Sequence, residues 1–145
     1  MKNMGVEERQ HPILYVNGNY LYAFFGYKIG TFLETVERVN IKNVKSKWEP
    51  ISLVKPVENL DLGMIGAGLV KKDTDIVIFF GGKTAKEEKR TALLLDFGNH
   101  AISQIDNMML EDPTYFGESL LTNLGRGAYA HFNLSNNSIL KIEVN

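Results

Sequence analysis

The residues able to do chemistry are spread thinly along this chain. His11, His100 and His131 are its three imidazoles, and they share no ligand spacing with one another or with a carboxylate. A metal site needs several convergent ligands, so each histidine reads as a turn or surface group. There is no cysteine, which excludes thiolate metal sites and any disulfide framework. Gly63-Met64-Ile65-Gly66-Ala67-Gly68 invites comparison with a dinucleotide loop. Counted from Gly66, however, the third glycine position is Lys71, and the segment leads into a strand where the motif requires a helix. Gly117-Glu118-Ser119-Leu120-Leu121 lacks the second glycine of a hydrolase nucleophile elbow, and no Gly-Lys-Ser/Thr phosphate loop occurs. Glu87 and Glu88 sit among Lys83, Lys86, Lys89 and Arg90 as a self-neutralising solvated loop. Lys42, Lys45 and Lys47 read as a solvated hairpin turn whose charge discourages stray strand pairing. The expectation is a non-catalytic protein with no cofactor and no bound metal.

Composition narrows the classes further. The chain has 145 residues, of which 44% are apolar, with 16 Lys+Arg against 17 Asp+Glu and a net charge of −1. Those values exclude collagen, disulfide miniproteins and plain disorder, and they provide no global attraction to nucleic acid or an anionic membrane. Residues 1–10 lack a signal-peptide apolar core, and no long uncharged apolar run follows. An intracellular, cytoplasmic setting is therefore expected, with neither nucleic acid nor membrane as partner. Asn133-Leu134-Ser135 and Asn136-Asn137-Ser138 match the glycosylation pattern, which is common by chance.

The elements that must position any site read as strands. Pro12–Val16 and Tyr20–Phe25 flank Asn17-Gly18-Asn19, a turn signal between two aromatic and branched arms, and both faces of this hairpin are expected to be covered. Asp75–Gly82 repeats the character of Tyr20–Tyr27 at an offset of 55 residues, preceded by the short apolar strand Gly66–Val70. Tyr129–Leu134 and Ser138–Val144 form a third, weaker copy, with Leu124-Gly125 before it as Leu62-Gly63 stands before the second. Between the first two copies lie two more amphipathic strands, Thr35–Asn40 and Lys47–Leu53; after the second come Thr91–Asp96 and Ala101–Ile105. Each unit is thus two hairpins in series, the pattern of a four-stranded propeller blade. Thr31–Glu34 has capping-box spacing, and Lys83–Arg90 is rich in helix formers, so a helical turn is expected in each and another within Asp106–Leu124.

Gly81-Gly82 after an apolar strand, Val36-Glu37-Arg38-Val39 and Lys47-Trp48 together resemble kelch repeats, whose blades carry a glycine doublet after the second strand, a tyrosine on the third and a tryptophan on the fourth. In the first repeat the doublet reads as Gly26-Tyr27, Val39 replaces the tyrosine and Trp48 is present. In the second, Leu95 and Ile102 occupy the tyrosine and tryptophan positions. The resemblance implies an all-β, partial kelch-type β-propeller of two four-stranded antiparallel blades plus a half blade. Its divisions are an extension at 1–8, blades at 9–60 and 61–106, a long connection at 107–124 and the first two strands of a third blade at 125–145. A closed ring needs at least four blades, roughly 200 residues, so the expected partners are other proteins or the remainder of a larger propeller.

Kelch propellers are binding scaffolds that use the loops between second and third strands and between blades. By that resemblance Tyr27, Phe32, Lys83, Lys86, Met108, Met109, Tyr115 and Phe116 are the candidate partner contacts. Aromatics and methionines would anchor a contact and lysines would steer it. The alternatives are a kelch-type propeller enzyme and a small-ligand-binding β domain acting on a carbohydrate-like substrate.

Overall fold

The computed structural model describes residues 8–56, 60–85, 91–109, 119–125, 128–133 and 138–143, with side-chain surroundings for 8–56, 60–85 and 92–105. These residues are all-β and antiparallel, with thirteen strands and no helix. The first sheet has the order β1-β2-β5-β6, from β1 (Ile13–Asn17), β2 (Tyr20–Phe24), β5 (Val36–Asn40) and β6 (Glu49–Ile51). A two-stranded hairpin, β3 (Tyr27–Lys28) and β4 (Thr31–Phe32), is inserted between β2 and β5. The second sheet runs β7 (Gly68–Asp73), β8 (Ile76–Phe80), β9 (Thr91–Asp96), β10 (Ala101–Met109), each strand beside its neighbour in sequence. A third sheet contains β11 (Ser119–Gly125), β12 (Ala128–Asn133) and β13 (Ser138–Glu143).

Several expectations change at this level. Residues 119–124, read as connection, are strand, so the last sheet has three strands rather than two. Thr31–Glu34 forms no helical turn, because Thr31 and Phe32 pair with Lys28 and Tyr27, and the Leu33 amide donates to the Gly26 carbonyl at 2.8 Å. Residues 83–85 are not helical, while 86–90 lie outside the described residues.

The first two sheets are copies of one backbone pattern. Phe24 faces Val36 and Tyr20 faces Asn40 in the first; Phe80 faces Ala92 and Ile76 faces Asp96 in the second, a constant shift of 56 residues. The Ile41 amide bonds to the Asn19 carbonyl at 2.9 Å, and the Phe97 amide to the Asp75 carbonyl at 2.8 Å, under the same shift. Each second strand ends in two residues with positive φ: Phe25 (54°) and Gly26 (103°) in one sheet, Gly81 (59°) and Gly82 (87°) in the other. The counterpart of Gly81-Gly82 is therefore Phe25-Gly26, one residue earlier than Gly26-Tyr27. The second glycine is sterically required in both. A Cβ on Gly26 would stand 2.7 Å from the Gln10 carbonyl oxygen, and one on Gly82 would stand 3.1 Å from that of Ile65.

Period-2 alternation divides each sheet into two faces. On the first sheet Ile13, Tyr15, Tyr22, Phe24 and Val36 share the face directed at the second sheet, which answers with Val77, Phe79, Leu93, Leu95 and Ile102. Aromatic rings tie the faces together. Phe79 meets Phe24 edge-on at 5.1 Å and Phe25 at 5.6 Å between ring centroids, and Phe97 lies 4.8 Å from Tyr22 and stacks on Tyr15 at 5.8 Å. Leu62 and Met64, in the segment joining the sheets, are buried in the same core. The sheets are also joined by backbone: Val54 makes a parallel bridge to Ala101, with bonds of 2.9 Å from its amide to His100 and to its carbonyl from Ile102.

The opposite face of the first sheet is covered at its centre, where Ala23 and Glu37 are buried, but along β1 it is exposed, contrary to the reading that both faces of the first hairpin are covered. Leu14 is 56% and Val16 51% exposed, since β1 has a neighbouring sheet on one side only among the described residues. Arg38 projects on the covered side. Its guanidinium lies 4.3 Å above the Tyr20 ring and donates to Glu49 at 2.6 Å. A hydrogen bond to the Tyr22 hydroxyl raises its pKa above the ordinary arginine value; partial burial opposes this and Glu49 reinforces it.

Candidate partner-binding site

The left-handed pairs fix where the chain goes after β2 and β8. A positive φ at two consecutive residues turns the backbone out of the sheet and into an antiparallel bridge with the segment preceding the sheet's first strand. In the first repeat that bridge joins Tyr27 to Gln10, with reciprocal bonds of 2.8 Å; in the second it joins Lys83 to Ile65, at 2.9 and 3.0 Å. Tyr27 and Lys83 thus occupy equivalent positions, each three residues beyond the end of a second strand. The structure places these two candidates at the same end of their sheets, on the connection between second and third strands.

Tyr27 continues into the β3–β4 hairpin and Phe32 returns from it. Their rings meet edge-on at 5.5 Å and each is half-buried, so one surface of the aromatic pair stays accessible. Phe32 rests on Gly63, where a Cβ would come within 3.0 Å of the Phe32 Cβ. The hairpin tip is Ile29-Gly30, with φ of 37° and 83°. Two positive φ values match the twist of a tight hairpin, but a β-branched residue rarely adopts one. Ile29 does so while 92% exposed. The sequence reading passed over this residue; Ile-Gly between Lys28 and Thr31, flanked by two aromatics, was the turn signal that pointed to it.

Arg9 anchors the root of the hairpin. Its buried guanidinium donates to the Phe25 carbonyl at 2.9 Å, to the Thr35 carbonyl at 2.8 Å and hydroxyl at 3.1 Å, and to Glu37 Oε2 at 3.1 Å. Phe25 and Thr35 bracket the excursion through 26–34, so one planar fork holds both of its ends. On the outer side Glu34 accepts from Lys55 Nζ at 2.7 Å and from the Leu62 amide at 3.3 Å. This part of the surface is accordingly a pre-ordered projection with an apolar tip, an aromatic flank and Lys28 within the hairpin.

The other candidates are not brought together by the described residues. Met108 and Met109 close β10, where Met109 faces Thr91, and their side chains lie outside the described residues, as do Lys86, Tyr115 and Phe116 altogether. His11 (φ 52°) and His100 (φ 55°) sit at left-handed turn positions, and His131 lies on β12 opposite Leu121 and Leu140. Among the described residues no group of histidines and carboxylates is arranged to hold a metal, and no helix is long and apolar enough to cross a membrane. No protein-family model matches the chain, and no curated protein sequence matches it.

Proposed function

We propose that the chain is a non-catalytic protein–protein interaction scaffold, built as part of a kelch-type β-propeller and binding protein partners through the loops that follow its second strands. The observation that carries this reading is the repetition of one four-stranded meander at a constant shift of 56 residues, with a left-handed pair after the second strand of each copy. Consecutive meander sheets stacked face on face are how a propeller is built, and the loops at one sheet end then share a rim. At that end stand Tyr27, Phe32, Ile29 and Lys83, aromatic and aliphatic groups beside cations, the composition of a protein-binding surface. The partner reads as a protein met in a cytoplasmic setting, with nucleic acid and membrane outside its range.

The test is site-specific photocrosslinking. A photoreactive phenylalanine analogue placed at Tyr27 or Phe32 should give discrete protein adducts in the cells that make the protein, and Lys83→Glu should weaken them. The same analogue at Asn19, at the opposite end of the first sheet, should give none. Equal labelling at Asn19, or no adducts together with a rise in melting temperature on adding oligosaccharides, would overturn the reading in favour of ligand binding.

A further inference from the structure

The β3–β4 turn concentrates two costs on one residue. A two-residue hairpin loop with positive φ at both positions is the turn that Asn-Gly makes readily, because glycine and asparagine tolerate the left-handed region. Here Ile29-Gly30 makes it, with φ of 37° and 83°, and a β-branched residue is among the least suited to the first position. The Ile29 side chain is also 92% exposed, and even a Cβ on Gly30 would meet nothing within 4 Å. With so little of the side chain in contact, packing does not offset the strain. Phe25 is the contrast, since its left-handed φ is accompanied by rings packed against Phe24 and Phe79.

Beneath the tip the hairpin is fixed at every level. Arg9 holds both roots, the Tyr27 and Phe32 rings brace the two arms, and Glu34 is tied to Lys55 and to the Leu62 amide. Ile29 is therefore held out into solvent at a defined position. The second repeat has no such tip, because the shift of 56 carries Ile29 and Phe32 onto Ala85 and Glu88 in sequence. It contributes a cation instead. Lys83 bridges Ile65, and the neighbouring Met64 carbonyl accepts from the Gly26 amide at 3.0 Å, which brings Lys83 beside the hairpin root. Lys28 lies in the hairpin itself, and neither lysine makes an ion pair among the described residues.

We infer that Ile29 is the anchor of the partner contact and enters an apolar pocket of aliphatic size on a folded protein, whose rim carries carboxylates that answer Lys28 and Lys83. The inference rests on the reading of this end as a protein-binding surface and names the chemistry of the partner. Entry into a pocket buries the one large group that the hairpin leaves in water, and the fixed root means that no loop has to be ordered on binding. The lysines steer the approach. One aliphatic side chain and two lysines offer neither the broad apolar face nor the basic cluster that a lipid surface requires, which favours a protein.

The test uses the full chain with the photoreactive phenylalanine analogue at Tyr27, in the cells that make it. Ile29→Asn should reduce the protein adducts about tenfold or more, whereas Ile29→Val, which keeps the branched aliphatic group, should retain most of them. Mass spectrometry should place the label on the partner among apolar residues with Asp or Glu nearby; a labelled site flanked by Lys or Arg overturns the acidic rim. Ile29→Asn should also melt about 2–4 °C higher, because asparagine accepts the left-handed turn. A lower melting temperature would make Ile29 a structural residue and overturn the inference. Adducts that persist in Ile29→Asn overturn it while leaving the scaffold reading in place, and an absence of adducts from either chain removes the scaffold reading and the inference with it. Flotation of the chain with phosphatidylcholine–phosphatidylserine vesicles, lost in Ile29→Asn, would assign the tip to a membrane and overturn the protein pocket.

Discussion

The first and second sheets share a backbone but differ in what that backbone is asked to bury. Position by position, Arg9 and Glu37 of the first correspond to Met64 and Leu93 of the second, and Ala23 corresponds to Phe79. The second sheet fills this face with large apolar groups, and a sheet lies on it. The first sheet places a buried ion pair and an alanine there, and Leu14 and Val16 beside them meet solvent. Strand order, register and the left-handed pair are therefore insensitive to the contents of the outer face, while the contents follow the neighbour. A buried ion pair contributes little net stability compared with a packed apolar pair. What Arg9 adds is a fixed geometry for the hairpin root, which has no counterpart at Met64.

The largest effect that would sharpen this contrast is expected at Phe79, the residue with which the second sheet fills the position of Ala23. Phe79→Ala removes the ring that meets Phe24 and Phe25, and should cost about 3–5 kcal/mol in urea unfolding. A loss under about 1 kcal/mol would mean that the two outer faces are energetically alike.

A somewhat smaller effect is expected from the ion pair. Glu37→Leu alone strands the Arg9 guanidinium in the core and should cost about 3 kcal/mol. Converting both positions to the residues of the second sheet, Arg9→Met with Glu37→Leu, should recover most of that loss, leaving the cost of the Phe25 and Thr35 carbonyls deprived of their donor. A double variant no better than the single would show that the charge pair is required by the fold and not exchangeable for its apolar counterpart.

The smallest effects separate the glycines. Gly26→Ala and Gly82→Ala introduce a Cβ against backbone atoms at a positive φ, whereas Gly18→Ala, at φ 57° in the β1–β2 turn, meets nothing within 4 Å. Gly18→Ala should cost about 1 kcal/mol, the other two distinctly more, and thermal melts should rank them so in both sheets.

Much of the strand layout is legible in the chain because alternation and turn residues act over a few positions. The aromatic arms around Gly18, the run Ile76–Phe80 before Gly81-Gly82, and the pair Thr91–Asp96 with Ala101–Ile105 all announce themselves in this way. The one-residue error in the first doublet has a physical origin. Phe25 accepts a left-handed φ because its ring packs against Phe24 and Phe79, a compensation no local pattern reveals. The hairpin at 27–32 was masked by capping-box spacing, since Thr31 and Glu34 satisfy a helix start as well as they satisfy a short strand. Of the candidate site, Tyr27 and Lys83 were reached by way of the repeat, whereas Ile29 emerged only once its exposure was known. β11 went unread because Ser119–Gly125 lacks clean alternation.

By itself the sequence determined the all-β character, the serial hairpins and the turns at Gly18 and Gly81-Gly82, because strand propensity, period-2 patterning and glycine sterics are local. Only the tertiary structure decided which face of each sheet is covered, that Arg9 reaches across to Phe25, Thr35 and Glu37, and that Leu14 and Val16 stay open. Those outcomes depend on what a distant segment brings alongside, and an apolar residue has the same local preferences whether or not a neighbour arrives.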